Sequence, residues 1–137
     1  MPACAPSIAE PSGMTLPFAA ESAHVARDGL ATWMKSLEVS AEYRDDARLV
    51  ISELIGNAVR HARPLADGTV RVTWAADDGE LAISVTDGGA RTTPERIDAG
   101  VSDVSGRGLS IVEALASRWW VETSRSRTTV HALVTLA

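Results

Sequence analysis

At 137 residues the chain has room for one domain with a real core and not for two ordinary ones. Hydrophobic residues at 45% and charged residues at 23% mark a globular protein, and a net charge of -5 with arginines scattered singly argues against a nucleic-acid surface. Lys35, the one lysine, lies in a helical pattern without a glycine-rich loop beside it, which disfavours both P-loop nucleotidases and kinases that need a strand lysine.

Taken in chain order, residues 1–12 (MPACAPSIAEPS) are rich in Ala and Pro, lack periodicity, and read as a flexible tail ahead of a domain spanning 13–137. The tail has no basic start followed by an apolar run, and no later stretch is long enough to span a bilayer, so a soluble cytoplasmic protein is expected. Cys4, the single cysteine, has no internal partner for a disulfide. Residues 13–18 suit a short edge strand that tolerates Pro17. Ala23, Ala26, Leu30, Trp33, Met34 and Leu37 recur at helical intervals and predict a helix over 20–37, with Gly29 as its weak point. Ser40 is a suitable N-cap for a second helix ending before Pro64, with Ala47, Val50, Ile51, Leu54, Ile55 and Ala58 on one stripe.

The period then changes to two. Thr69 to Ala76 and Glu80 to Asp87 alternate around Asp78-Gly79, a strong hairpin signal. A polar loop runs from Gly88 to Ser105, and "GRGLSIVEALASRW" predicts a third helix starting near Gly106. "WWVETS" and "TTVHALVTL" complete the chain as two antiparallel strands, on which Trp119 and Trp120 must face opposite sides, one to the core and one to a surface or interface. Segregated helices and mainly antiparallel strands imply an α+β layer sandwich.

Three places carry chemistry. On the second helix Glu53 and Asn57 lie one turn apart at the edge of the apolar stripe, either as an ordinary solvated pair or facing a cleft. In "SVTDGG" a strand ends on Asp87, whose carboxylate can accept a bond from an exocyclic amine while Gly88 and Gly89 leave room for a flat ring; a plain Asp-Gly turn has the same sequence. In "SGRGLSIV" Gly106 and Gly108 open a helix whose free amides suit phosphate, although such an entry can be merely flexible.

In this order the three segments resemble the N, G1 and G2 boxes of the superfamily of gyrase, histidine kinases and MutL, the GHKL ATPases with the Bergerat fold. "SELIGNAVRHA", "VTDGG" and "GRGLSIVEALASRW" bring the chain nearest to the small anti-sigma-factor serine kinases and their ATP-binding relatives. The resemblance implies a two-layer α/β sandwich that binds ATP and Mg²⁺. It implies Glu53 as general base, Asn57 as metal ligand, Asp87 at the adenine amine, Gly89 admitting the ring, and Gly106, Arg107, Gly108 and Leu109 around the phosphates. Thr129 matches a hydroxyl near the adenine, and Ala90 to Ser105 the ATP lid. Arg107 either reaches a phosphate or stays solvated, and His61 is read as structural. The chain departs from the wider pattern at Arg91, where a second glycine is expected, and at Val104, where some such kinases carry a basic residue. By the same resemblance the partners are a sigma factor, a STAS-type anti-anti-sigma protein phosphorylated on serine, and a second copy of the chain, with no direct contact to nucleic acid or membrane. A nucleotide-gated binding module without phosphoryl transfer is the alternative.

Overall fold

A computed structural model describes residues 8–89 and 109–136. In chain order they form β1 (Ile8–Pro17), α1 (Ser22–Ser36), α2 (Ala41–His61), β2 (Thr69–Asp77), β3 (Glu80–Asp87), α3 (Leu109–Leu115), β4 (Arg118–Thr123) and β5 (Thr128–Thr135). The strands make one antiparallel sheet in the order β1-β2-β3-β5-β4, and the helices pack on one face of it. This is the expected α+β two-layer sandwich.

The hairpin forms because Asp78 and Gly79 both take positive φ, 52° and 77°, which matches the twist of the flanking strands. Alternation then sends Leu81, Ile83 and Val85 of β3 and Ala132 and Val134 of β5 beneath the helices. The predicted stripe of α2, from Ala47 to Ala58, is buried against them without exception. α1 contributes Ala26, Leu30 and Met34, and its Trp33 ring lies 6.4 Å from that of Trp74 on β2. Gly29 has a packing reason: a side chain there would press on Met14 of β1 and the Trp74 ring.

Several boundaries differ from expectation. β1 begins at Ile8, so the segment read as an aperiodic tail adds its last residues to the sheet edge. Edge pairing uses the backbone and needs no side-chain alternation, and Pro11 falls where the register shifts between Ala9 and Ser12, a place that tolerates a missing N–H. α1 starts at Ser22, whose buried hydroxyl donates to the Pro17 carbonyl at 2.6 Å and ties the helix to the end of β1. Ser40 does occupy the N-cap of α2, but its contribution is its carbonyl, which accepts the Arg44 amide at 3.1 Å, and its hydroxyl makes no capping bond. Trp119 packs against the core while Trp120 faces the other side of the sheet. Among the described residues no helix is long and apolar enough to cross a membrane.

Ile83, fully buried in the central strand, should be costly to truncate: Ile83→Ala should lose about 2–5 kcal/mol of stability in a urea titration, while truncating exposed Leu49 should change little.

Candidate functional site

The site is built where the end of α2 meets the end of β3. The Gly88 amide donates to the Arg63 carbonyl at 2.7 Å, and the Arg63 amide donates to the Gly89 carbonyl at 2.9 Å. This clasp brings the backbones so close that a side chain on Gly88 would collide with the Pro64 carbonyl oxygen. Gly88 is therefore required by the crossing of two chain segments and not by a ligand. Gly89 is required by its own backbone, at φ 101°, and no atom crowds the place where a side chain would stand.

Asp87 is 4% exposed, and its side-chain partner among the described residues is the Gly89 amide, which donates to Oδ1 at 2.8 Å. Burial pushes its carboxyl up to about 6, with the Gly89 bond holding it partly back. A buried carboxylate with spare acceptor capacity favours a ligand that donates hydrogen bonds.

On α2, Glu53 and Asn57 stay at the edge of the stripe, half-buried. The helix rise separates them by about 6 Å along the axis. Asn57 Oδ1 is buried without any hydrogen-bond partner, a deficit worth about 1–3 kcal/mol unless something occupies it. The Glu53 side chain has no hydrogen bond or ion pair among the described residues. An unsatisfied carboxamide oxygen fits a hard cation such as Mg²⁺, which takes its other oxygens from water and phosphate. Among the described residues no group of three or more His, Cys, Asp and Glu gathers into a metal cage. Asn57 Oδ1 is a candidate ligand on this helix.

Two expectations need correction. Thr129 pairs with Thr86, and their hydroxyls bond to each other at 2.9 Å on the face of the sheet opposite Asp87. Residues directly paired across an antiparallel ladder share a face, and the residue paired with Asp87 is Thr128. A one-residue slip exchanges the faces, and only the register reveals it. Leu109 buries its side chain in the core beside Val112, so only its backbone is left for a ligand. Gly106, Arg107, Gly108, Arg91 and Val104 lie outside the described residues. His61 stands exposed in the last turn of α2, where a basic residue suits the helix dipole.

A family model for the histidine kinase-like ATPase domain matches residues 16–133. The chain belongs to this family. It is 28% identical over 127 residues to an anti-sigma F factor of Clostridium acetobutylicum, covering 85% of this chain and 87% of that one. An uncharacterized protein of Streptomyces coelicolor is 36% identical over 82 residues, 59% of this chain and 77% of the relative. Among solved structures, that of the RsbU and RsbW domains of Rv1364c from Mycobacterium tuberculosis superposes with a TM-score of 0.72 at 26% identity. It covers 93% of this chain, which spans about a third (33%) of that longer one. A chain of the SiaB-SiaC complex from Pseudomonas aeruginosa shares the fold, with a TM-score of 0.62 at 11% identity, covering 93% and 90%. The GHKL resemblance read from the three boxes is therefore correct, and the chain is an ATPase-family relative of anti-sigma factors.

Because burial raises Asp87 above the usual value of 3.8 to about 6, the folded state holds a proton that the unfolded state releases between those values. Stability should fall as pH rises through this window and level off above it. Asp87→Asn should abolish that slope and, near pH 7.5, stabilise the fold by up to roughly 3 kcal/mol, with little difference at pH 4, as measured by thermal unfolding across pH.

Proposed function

We propose that this protein is an ATP-binding regulator of the anti-sigma-factor type with protein serine kinase activity. In this reading it sequesters a sigma factor and phosphorylates a serine on a small STAS-type antagonist, which then releases it. The observation that carries the reading is Asn57, a buried carboxamide oxygen with no partner, one turn from Glu53 on a helix clasped to the strand end that bears Asp87.

Each residue has a defined task. Asp87 accepts a hydrogen bond from the adenine amine, with its carboxylate aimed by the Gly89 amide. Thr128, across the ladder from Asp87, offers the hydroxyl on the same face. Asn57 Oδ1 would hold Mg²⁺, and that ion, when bound, neutralises charge on the phosphates. By the resemblance, Gly106 and Gly108 would supply backbone amides for the phosphate tail and Arg107 a positive charge. Glu53 takes the proton from the serine hydroxyl at its carboxylate as the hydroxyl oxygen attacks the γ-phosphorus of ATP, and the bond from that phosphorus to the β–γ bridging oxygen breaks with ADP as the leaving group. The name of the Clostridium relative supports the regulatory part of the reading. Arg91 and Val104, which depart from the wider pattern, favour a second reading in which nucleotide gates partner binding without transfer.

With radiolabelled ATP, Mg²⁺ and a panel of STAS antagonists, wild type should label a serine. Glu53→Ala should lower labelling by about 100-fold or more while ADP affinity stays within about threefold. ATP bound without labelling across the panel would favour the gating module. Asn57→Ala should remove the dependence of ATP affinity on Mg²⁺ in calorimetric titrations. ATP affinity should also drop as pH falls through about 6, where Asp87 gains its proton, and this pH dependence should disappear in Asp87→Asn, whose affinity is low throughout.

A further inference from the structure

The sheet ends on β1 at one side and on β4 at the other, and an edge strand offers unpaired backbone groups to any strand that can lie beside it. The two edges are not alike. β1 carries Pro11 and Pro17, and its register with β2 shifts between Ala9 and Ser12, devices that spoil an edge for further pairing. β4 has neither. Its residues, Arg118 to Thr123, pair with β5 in unbroken register, contain no proline or lysine, and have no neighbour on their outer side among the described residues. The Ser124 amide donates to the Arg127 carbonyl at 2.8 Å where the two strands meet, and the direction of the backbone groups alternates along a strand. Glu122, Trp120 and Arg118 therefore turn their amides and carbonyls toward β5, while Trp119, Val121 and Thr123 turn theirs outward. Arg118 and Glu122 share a sheet face with Trp120. Trp120 is held there by its stack on His131, at 4.9 Å between ring centroids, and by the Arg118 guanidinium 4.8 Å from its own centroid.

We infer that β4 is a docking edge for β4 of a second copy, added antiparallel so that backbone hydrogen bonds join the two sheets side by side into one. Parity and charge fix the register. Only outward-turned residues can exchange bonds, so Trp119, Val121 and Thr123 stand opposite members of that same set, and the allowed registers differ by two residues. Centred on Trp120, the pairing sets Trp119 opposite Val121 of the second copy in a hydrogen-bonded pair and Arg118 opposite Glu122 of the second copy, each of them twice, with Trp120 meeting its own copy on the two-fold axis. The charge pairs and the tryptophan pair then occupy non-hydrogen-bonded positions, where side chains approach most closely. Other registers lose this match. One step either way sets one of the charges opposite Trp120, and two steps set Arg118 against Arg118 or Glu122 against Glu122. Within one protomer Arg118 and Glu122 lie about 13 Å apart along the strand, too far to pair. One Glu122 oxygen bonds His131 Nε2 at 2.6 Å, which fixes the side chain and leaves Oε2 for the second copy. Charged side chains guard an edge against indiscriminate pairing, and a partner strand of one charge sign would match Arg118 or Glu122 and oppose the other. A copy of β4 matches both. The contact uses a strand edge and neither face of the sheet, and it is independent of the nucleotide reading, because Asp87 stands on β3, two strands in from this edge.

Residue-resolved amide hydrogen exchange on the full chain tests it, together with sedimentation equilibrium and with urea unfolding as the control for fold. In wild type the Trp119 and Val121 amides should exchange more slowly as concentration rises, in step with the association seen in the centrifuge. Val121→Pro removes an outward N–H that β5 does not use, a change an edge strand tolerates, and should weaken this association by about 10-fold or more. Arg118→Glu and Glu122→Arg should each weaken it by about 10-fold, since each creates two like-charge contacts. The double exchange Arg118→Glu with Glu122→Arg should return it to within about threefold of wild type, which loss of the Glu122–His131 bond or of the Arg118–Trp120 contact cannot do. Trp119 and Val121 amides that exchange at one rate at every concentration would overturn the inference, and this measurement needs no variant, so it decides even where Val121→Pro fails to fold. Self-association that survives Val121→Pro and both charge reversals unchanged would overturn it too, by placing the contact on another surface.

Discussion

Two backbone hydrogen bonds between the Arg63 peptide and the Gly88-Gly89 peptides hold the candidate site in one frame. They join the end of a long helix to the end of a central strand, and every group of interest hangs from one or the other. Glu53 and Asn57 are fixed along α2 by helical geometry, and Asp87 is fixed on β3 by the ladder. Without the clasp the angle between helix and strand end would be set only by apolar packing, which is less directional than a hydrogen bond. Gly88 is the residue this closeness demands, since any side chain there meets the Pro64 carbonyl.

The same region holds two groups whose burial is unfavourable. Asp87 is a carboxylate in a place that disfavours its charge, and Asn57 holds a buried acceptor with nothing to accept. Elsewhere α2 and β3 bury aliphatic side chains against one another. Unsatisfied polarity inside a well-packed frame suits a protein that gains its missing bonds from a ligand. This pairing of a sound core with an unsatisfied edge is what the family membership leads one to expect of a nucleotide site.

The two faces of the sheet divide the work. The face under the helices supplies the core and, at the end of β3, the buried acid. The face that no described helix covers supplies small polar side chains, a stacked Trp120 and His131, and a rim of opposite charges. Strand alternation keeps these surfaces separate at the level of single residues, so Thr128 and Thr129 serve different sides although they are neighbours.

Much of this was decided by local sequence. The stripe of α2 and the Asp78-Gly79 hairpin follow from periodicity and turn chemistry, which act over a few residues, the three boxes were legible only through their resemblance to a known family, and the opposite facing of Trp119 and Trp120 follows from strand pleat alone. Local reasoning placed Asp87 at a strand end and Glu53 one turn from Asn57. It missed the extension of β1 to Ile8, because edge pairing leaves no side-chain signal; the family resemblance pointed to Thr129, whereas Thr128 shares the face of Asp87, because that face depends on a strand more than 40 residues away, as the 43-residue separation of the Thr86–Thr129 bond shows. Gly88 looked like room for a ligand until the Arg63-Pro64 segment was seen to cross it. Register, burial and chain crossing are relations between distant segments, and so they belong to the tertiary structure alone.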